Sequence, residues 1–206
     1  MPPISDLQIG VLGVQGNWRA HVTVLRELNI VPVRVNAPAD LLGLDGLVIP
    51  GGESTSMVKA LEASELGRAL RERGAAGDLP LFGTCAGALL MSGTVFDADG
   101  EDKGWLGLSG CTMERNSYGS HAESFVQQLV VSGVGNVRAA FIRAPRVLDT
   151  QGWEVMGESS SGDPVILRSN THMVCTFHPE LTTSKVHECF VGVCAANRQA
   201  RSSQRV

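Results

Sequence analysis

Apolar residues in the first half of the chain fall in short, nearly unbroken runs, with amphipathic stretches between them. The run in LQIGVLGVQG (7–16) closes on glycines and predicts a strand. NWRAHVTVLRELN (17–29) follows, with Trp18, Val22, Leu25 and Leu28 at helical spacing and Asn17 placed to cap the helix. IVPVRV (30–35) and LDGLVIPGG (44–52) predict two further strands, the second ending in a glycine turn. STSMVKALEASELGRALRERGAAG (54–77) has a helical pattern, and LPLFG (79–83) predicts a fourth strand. Strands that are apolar throughout, alternating with helices, are the pattern of a parallel sheet covered on both faces.

After residue 105 the pattern changes. SGCTMERN (109–116), ESFVQQLVVSG (123–133), AAFIRAPRVL (139–148), WEVMGES (153–159) and PVILRSNTHMVCTFHPE (164–180) read as strand pieces with few helices between them. They predict antiparallel additions to the central sheet. SKVHECFVGVCAANR (184–198) closes the pattern with a helix, and QARSSQRV (199–206) is polar enough to be a loose tail. No internal repeat, low-complexity block or linker interrupts residues 1–206, so the expectation is a single α/β domain.

Composition narrows the function classes. Hydrophobic residues make up 43% and charged residues 18%, as in folded globular proteins. A formal net charge of -4 argues against a nucleic-acid surface and favours small molecules or proteins as partners. The start MPPISDLQIG lacks a secretory pattern, no apolar stretch reaches membrane-spanning length, and the five cysteines show no disulfide framework. The expectation is a cytoplasmic protein with free thiols and no membrane partner.

One of those cysteines has unusual neighbours. Gly83-Thr84-Cys85-Ala86-Gly87 has the form of a nucleophile elbow, in which a tight strand-to-helix turn leaves no room for flanking side chains. Standing at a helix N-terminus also favours a thiolate. A thiol nucleophile needs a base. His21 and His187 lie within predicted helices, His121 lies beside Gly119, and His172 starts a strand, so packed or solvated roles are their default. His178 ends that strand in CTFHPEL, with Glu180 two residues on. In an extended segment residues i and i+2 face the same way, so Glu180 can hold one ring nitrogen and leave the other for Cys85.

PGGEST (50–55) is the third element: a glycine turn after a strand can aim backbone N–H groups at a developing oxyanion. Its own signal is weak, since paired glycines mark many turns, and the lysine of a phosphate-binding loop is absent. The cysteines and histidines do not cluster at zinc spacing, so no zinc site is expected.

Taken in order, GVLGVQG, LVIPGGEST, FGTCAG, ERNSYGS, FIRAP and FHPEL resemble the class I, triad-type glutamine amidotransferases. Within them the chain is most similar to the glutaminase subunits of pyridoxal 5'-phosphate synthase, the PdxT family, from about residue 8 to 195. PGGEST, RNSYG and FIRAP carry that finer resemblance, while the elbow and H-P-E belong to the wider class. The resemblance implies an open, mostly parallel, flavodoxin-like three-layer fold. It also implies a triad of Cys85, His178 and Glu180, glutamine contacts at Gly51, Gly52, Glu53, Arg115, Ile142 and Arg143, and no cofactor. An arginine fork suits the α-carboxylate of glutamine, whereas Glu53 can either meet its α-ammonium or brace the loop. One departure stands out: Ser120-His121 follows RNSYG where the family commonly has Arg-Gln, a difference that bears on partner docking or the pocket rim.

The implied reaction is hydrolysis of L-glutamine through a Cys85 thioester, with the N–H groups of Ala86 and Gly52 as the oxyanion hole. Ammonia released into neutral water is mostly ammonium and cannot attack, so a partner must receive it directly. The resemblance names that partner as a PdxS-type synthase in a large hetero-oligomer, with the glutaminase weak until docked and the 51–52 turn as the switch. Three other readings remain at this stage. They are a glutaminase feeding imidazole glycerol phosphate, anthranilate or aminodeoxychorismate synthesis, a catalytically silent regulatory subunit, and a cysteine peptidase or γ-glutamyl hydrolase.

Overall fold

The structure is a computed structural model that describes residues 6–97, 100, 105–117 and 124–203. The first half follows the apolar runs closely. Strand β1 (Ile9–Leu12) leads into helix α1 (Trp18–Glu27), then β2 (Val33–Val35), β3 (Gly46–Ile49), helices α2 (Ser54–Glu62) and α3 (Glu65–Ala75), β4 (Leu81–Thr84) and α4 (Ala86–Met91). The 54–77 stretch, uniform in its periodicity, is two helices. Ser64 ends one and caps the next, its hydroxyl accepting from the N–H of Gly67 at 3.0 Å. Asn17 does not cap α1 with its side chain. Its main-chain N–H instead donates to the carbonyl of Gly51 at 3.0 Å.

Strands β5 (Thr94–Phe96), β6 (Thr112–Glu114), β7 (Phe125–Val131), β8 (Gly135–Phe141), β9 (Arg146–Asp149), β10 (Glu154–Glu158), β11 (Pro164–Arg168) and β12 (Met173–Cys175) come next, and helix α5 (Lys185–Ser203) follows. The central sheet has seven strands in the order β10-β11-β12-β4-β3-β1-β2. The five from β12 to β2 are parallel, and β11 and β10 add to that sheet antiparallel. The remaining strands depart from expectation, because they form separate small sheets, β5-β6-β9 and the β7-β8 hairpin. Exposed Val126 and Val130 and buried Leu129 and Val131 show why: the hairpin buries one face on the domain and leaves the other to solvent.

Alternation along each parallel strand feeds two cores. Ile9, Val11, Val48 and Phe82 point to one face, where Leu25 of α1 and Phe190, Val191 and Cys194 of α5 cover them. Leu12, Leu47, Ile49 and Leu81 point to the other, beneath Met57 and Leu61 of α2, Leu66 and Leu70 of α3, and Leu89 and Leu90 of α4. Each fully buried side chain of this size contributes about 1.5–3 kcal/mol relative to exposure. Gly46 lets α5 sit close, since a Cβ there would lie 2.3 Å from the Cys194 sulfur.

The stretch from 199, expected to be a loose tail, is helical as far as Ser203. Arg201 donates to the Asp78 carbonyl at 2.8 Å, and Arg198 and Arg201 both pair with buried Asp45. No helix among the described residues is long and apolar enough to cross a membrane.

Candidate active site

Strand order decides where the chemistry gathers. β4 lies between β3 and β12, so the segments leaving the C-terminal ends of all three meet at one edge of the sheet, the usual ligand side of an open α/β fold. Those segments are the glycine turn 50–52, the elbow at Cys85 and the chain carrying His178.

Cys85 has φ 48° and ψ −109°, a conformation L-residues rarely adopt, and its N–H is tied to the Cys175 carbonyl at 2.9 Å. The flanking glycines are required sterically. A Cβ on Gly83 would come 2.5 Å from the Gly87 carbonyl oxygen, and one on Gly87 would come 2.0 Å from the Ile49 carbonyl oxygen. Ala86 is the first residue of α4, so its N–H has no acceptor within the helix.

His178 is held by its N–H to the Ala140 carbonyl at 2.8 Å, and its Nδ1 lies 2.7 Å from Glu180 Oε1. The two meet by a different route from the extended geometry expected. Pro179–Leu181 is a single 3-10 turn, which folds the carboxylate back under the ring. Burial disfavours a charged imidazole here, yet the hydrogen bonds and charges of Cys85 and Glu180 prevail and hold His178 at about 10. Burial likewise opposes the charge on Glu180, but the His178 hydrogen bond and the neighbouring imidazoles keep it below the ordinary carboxylate value. These interactions favour the charged forms of both His178 and Glu180, and His178 also hydrogen-bonds the Cys85 side chain.

A cleft of about 250 Å³ opens over these residues. Gly51, Gly52, Glu53, Cys85, Ala86, Arg115, Ile142, Arg143 and His178 all line it, while Glu180 lies buried behind. Its volume suits a ligand smaller than the drug-sized molecules that fill roughly 300–1,000 Å³. Glu53 braces the loop: its two oxygens accept from the N–H groups of Thr55 at 3.1 Å and Ser56 at 2.7 Å, which makes it the cap of α2. The Ser56 side chain foremost, and with it those N–H groups, lower its pKa to about 2. Arg115 lies 3.5 Å from Glu53 and faces the cleft. Arg143 is exposed at the rim with φ 44°, and the Cys85 sulfur sits 3.9 Å from the Ile142 carbonyl oxygen.

Asn17, Asn116, Leu89 and Leu181 also line the cleft without having stood out in the sequence. His172 is structural, as expected, its Nδ1 accepting from the N–H of Leu81 and its Nε2 facing the Gly74 carbonyl. Burial raises the thiols of Cys111, Cys175, Cys189 and Cys194 above the ordinary value, in keeping with packing roles. Tyr118, Gly119, Ser120 and His121 lie outside the described residues. Among the described residues no cluster of His, Cys, Asp and Glu is arranged to hold a metal.

Comparison with known proteins bears on the same features. The profile of the SNO glutamine amidotransferase family matches residues 11–196. The chain is 44% identical over 194 residues to the pyridoxal 5'-phosphate synthase subunit PdxT of Korarchaeum cryptofilum, covering 90% of this chain and 97% of that one. It is 40% identical over 189 residues to the PdxT subunit of Thermotoga maritima, covering 90% and 98%. The crystal structure of a glutamine amidotransferase, 35% identical, superposes with a TM-score of 0.85 over 91% of this chain and 98% of the other.

Proposed function

Because the chain belongs to the SNO glutamine amidotransferase family, we propose that it works as the glutaminase subunit of a pyridoxal 5'-phosphate synthase, with Cys85, His178 and Glu180 as its catalytic residues. The observation that carries this reading is the 2.7 Å contact between His178 Nδ1 and Glu180 Oε1, behind a cysteine held at φ 48° on the floor of the cleft.

The Cys85 thiolate attacks the side-chain amide carbon of L-glutamine, and the carbonyl oxygen takes up the negative charge. The N–H groups of Ala86 and Gly52 receive that oxyanion. The Asn17 hydrogen bond to the Gly51 carbonyl fixes the plane of the Gly51–Gly52 peptide and so governs where the Gly52 N–H points. His178, protonated and oriented by Glu180, gives its Nε2 proton to the leaving nitrogen, and ammonia departs from a γ-glutamyl thioester. The neutral imidazole then takes a proton from water as its oxygen attacks the thioester. Cys85 leaves as thiolate, and glutamate is released.

In this reading Arg115 receives the substrate α-carboxylate, supported by its position on the cleft wall 3.5 Å from Glu53. Ile142 and Arg143 form the opposite rim. Ammonia passes to a PdxS-type synthase, which is the expected partner in a hetero-oligomer, and the 51–52 turn is the element whose geometry docking would complete. The five free cysteines suit a reducing, cytoplasmic setting.

Glutamate release from L-glutamine, with and without a PdxS-type synthase and with Cys85→Ala as the blank, tests the reading. Release that rises with the synthase and is lost in the variant is expected. Absence of release under both conditions would point instead to a silent binding subunit, and full release without the synthase would remove the docking switch.

A further inference from the structure

Two more imidazoles stand in line behind the carboxylate. His21 of α1 and His187 of α5 are both fully buried, and His21 Nδ1 lies 2.8 Å from His187 Nε2. On its other side His21 Nε2 lies 3.3 Å from the Thr84 hydroxyl and 3.6 Å from Glu180 Oε2, the oxygen that His178 does not use. Glu180 Oε2 and His187 Nδ1 are buried and have no partner within hydrogen-bonding distance among the described residues. His187 packs against Phe82 in a T-shaped pair, with ring centroids 5.6 Å apart.

These contacts decide the tautomers. If His21 turned a lone pair toward Glu180, two electron-rich atoms would face each other in a buried site. Its Nδ1–H would then donate to His187, leaving the Nδ1–H of His187 as a buried donor with no acceptor, which costs roughly 1–3 kcal/mol. The opposite arrangement removes both faults. His187 Nε2–H donates to His21 Nδ1, His21 Nε2–H donates to Thr84 Oγ1 and turns its positive end toward Glu180 Oε2 3.6 Å away, and the unpaired ring site is a lone pair on His187 Nδ1. Orphaned buried acceptors are less rare than orphaned donors.

We infer that His21, set in its Nε2–H tautomer by His187, is a positioning residue for Glu180: a neutral donor on the far side of the carboxylate that keeps Oε1 on His178. The inference rests on the triad reading above. Neutrality matters as much as the hydrogen, because a cation at His21 would compete with His178 for the charge of Glu180. Burial keeps both rings neutral in the working range, lowering His21 to about 4 and His187 to about 3. The titratable groups facing Glu180 are His178, His21, His187 through His21, and the Cys175 thiol behind Cys85. No proton leaves the Cys85–His178 pair for these rings, so the chemistry balances as before.

The test compares His21→Ala and His21→Gln in the chain docked to its synthase partner. The glutamine side chain can return an N–H close to the Nε2 position. His21→Ala is expected to lower kcat tenfold or more, short of the roughly 10⁴-fold loss seen when a triad carboxylate is neutralised. KM should stay within about twofold, and the alkaline limb of kcat/KM, where His178 loses its proton, should move to lower pH. His21→Gln should recover most of kcat and return the limb. A folded His21→Ala protein with unchanged kcat and limbs would overturn the inference. So would a loss of kcat with unmoved limbs and no rescue by glutamine, which marks a packing role alone.

Imidazole ¹⁵N spectra of the unmutated chain give an arm that does not depend on the variants folding. Neutral Nε2–H rings at both positions at pH 7 are expected, and an Nδ1–H or charged His21 overturns the inference. Lack of any Cys85-dependent release in the unmutated complex would instead defeat the triad reading itself.

Discussion

Gly51 packs tightly against the His178 ring: a methyl group on its α-carbon would lie 2.5 Å from Cε1 of His178 and 3.3 Å from Cβ of Cys85. The glycine turn thus walls in the Cys85–His178 pair as well as lining the cleft. Gly51→Ala is expected to push the imidazole off the thiol while leaving the fold intact, since Gly51 does not have a positive φ. Turnover should fall by about 10²-fold, the usual cost of displacing a reacting group by an ångström. Kinetics beside a thermal melt checks this, and unchanged turnover would mean that the turn yields freely.

Glu180→Gln keeps the shape of the buried side chain and removes its charge. His178 would lose the partner that holds its Nδ1–H and its raised pKa, so glutaminase turnover is expected to drop by about 10³–10⁴-fold. A smaller loss, below tenfold, would show that the orientation of His178 comes from its backbone tie to Ala140.

Stability should depend on pH from both sides. His178 is raised to about 10 from 6.5, so its contribution is complete below pH 6.5 and disappears as pH rises through 10. His21 and His187 are lowered from 6.5 to about 4 and 3, so the unfolded chain binds more protons below pH 6.5 and stability declines as the solution is acidified toward those values. Glu180, also lowered, adds to the acid loss below 4.5. Melting temperature measured from pH 4 to 10 should peak near neutrality, and His187→Leu should flatten the acid slope. An acid slope unchanged in that variant would assign it to other groups.

Glu53→Ala removes the cap of α2 and the carboxylate beside Arg115. The helix should lose about 1 kcal/mol, the typical value of a side-chain cap. Freed from its brace, Arg115 should bind glutamine less well, seen as a raised KM with a smaller change in kcat. Denaturant titration and steady-state kinetics separate the two effects.

Buried Asp45 accepts from the N–H of Gln8 at 3.0 Å and pairs with Arg198 at 3.2 Å and Arg201 at 3.4 Å. Replacing both arginines by alanine should free the last turns of α5 and destabilise the chain by roughly 1–3 kcal/mol, the scale of hydrogen bonds to a charged group. Urea unfolding measures the loss, and an unchanged midpoint would show that α5 is held by Phe190 and Cys194 alone.

Much of this architecture can be read from neighbours along the chain. The alternation of Ile9 with Gly10 and of Val48 with Ile49 already encodes a two-faced parallel sheet, because side chains on a strand alternate by steric necessity. The glycines at 83 and 87 mark the tight turn that carries Cys85, since only such a turn needs them there. His178 and Glu180, one proline apart, carry their pairing within three residues. All of these depend on interactions a few bonds long, which a sequence records directly.

The tertiary structure alone decided the rest. Nothing in the amphipathic pattern of α1 separates a histidine facing solvent from His21, whose ring meets one 166 residues away and lies behind the Glu180 carboxylate. Asn17 has the composition of a cap, yet its main chain is taken by Gly51, and the polar stretch after 198 becomes helix because Asp45 is waiting for its arginines. The segments of β7 and β8 read as strands of the central sheet but pair with each other outside it, where β10 and β11 occupy the edge beyond β12. Contacts between distant segments leave no local signature, for the free energy that selects them appears only once the layers have packed and excluded water.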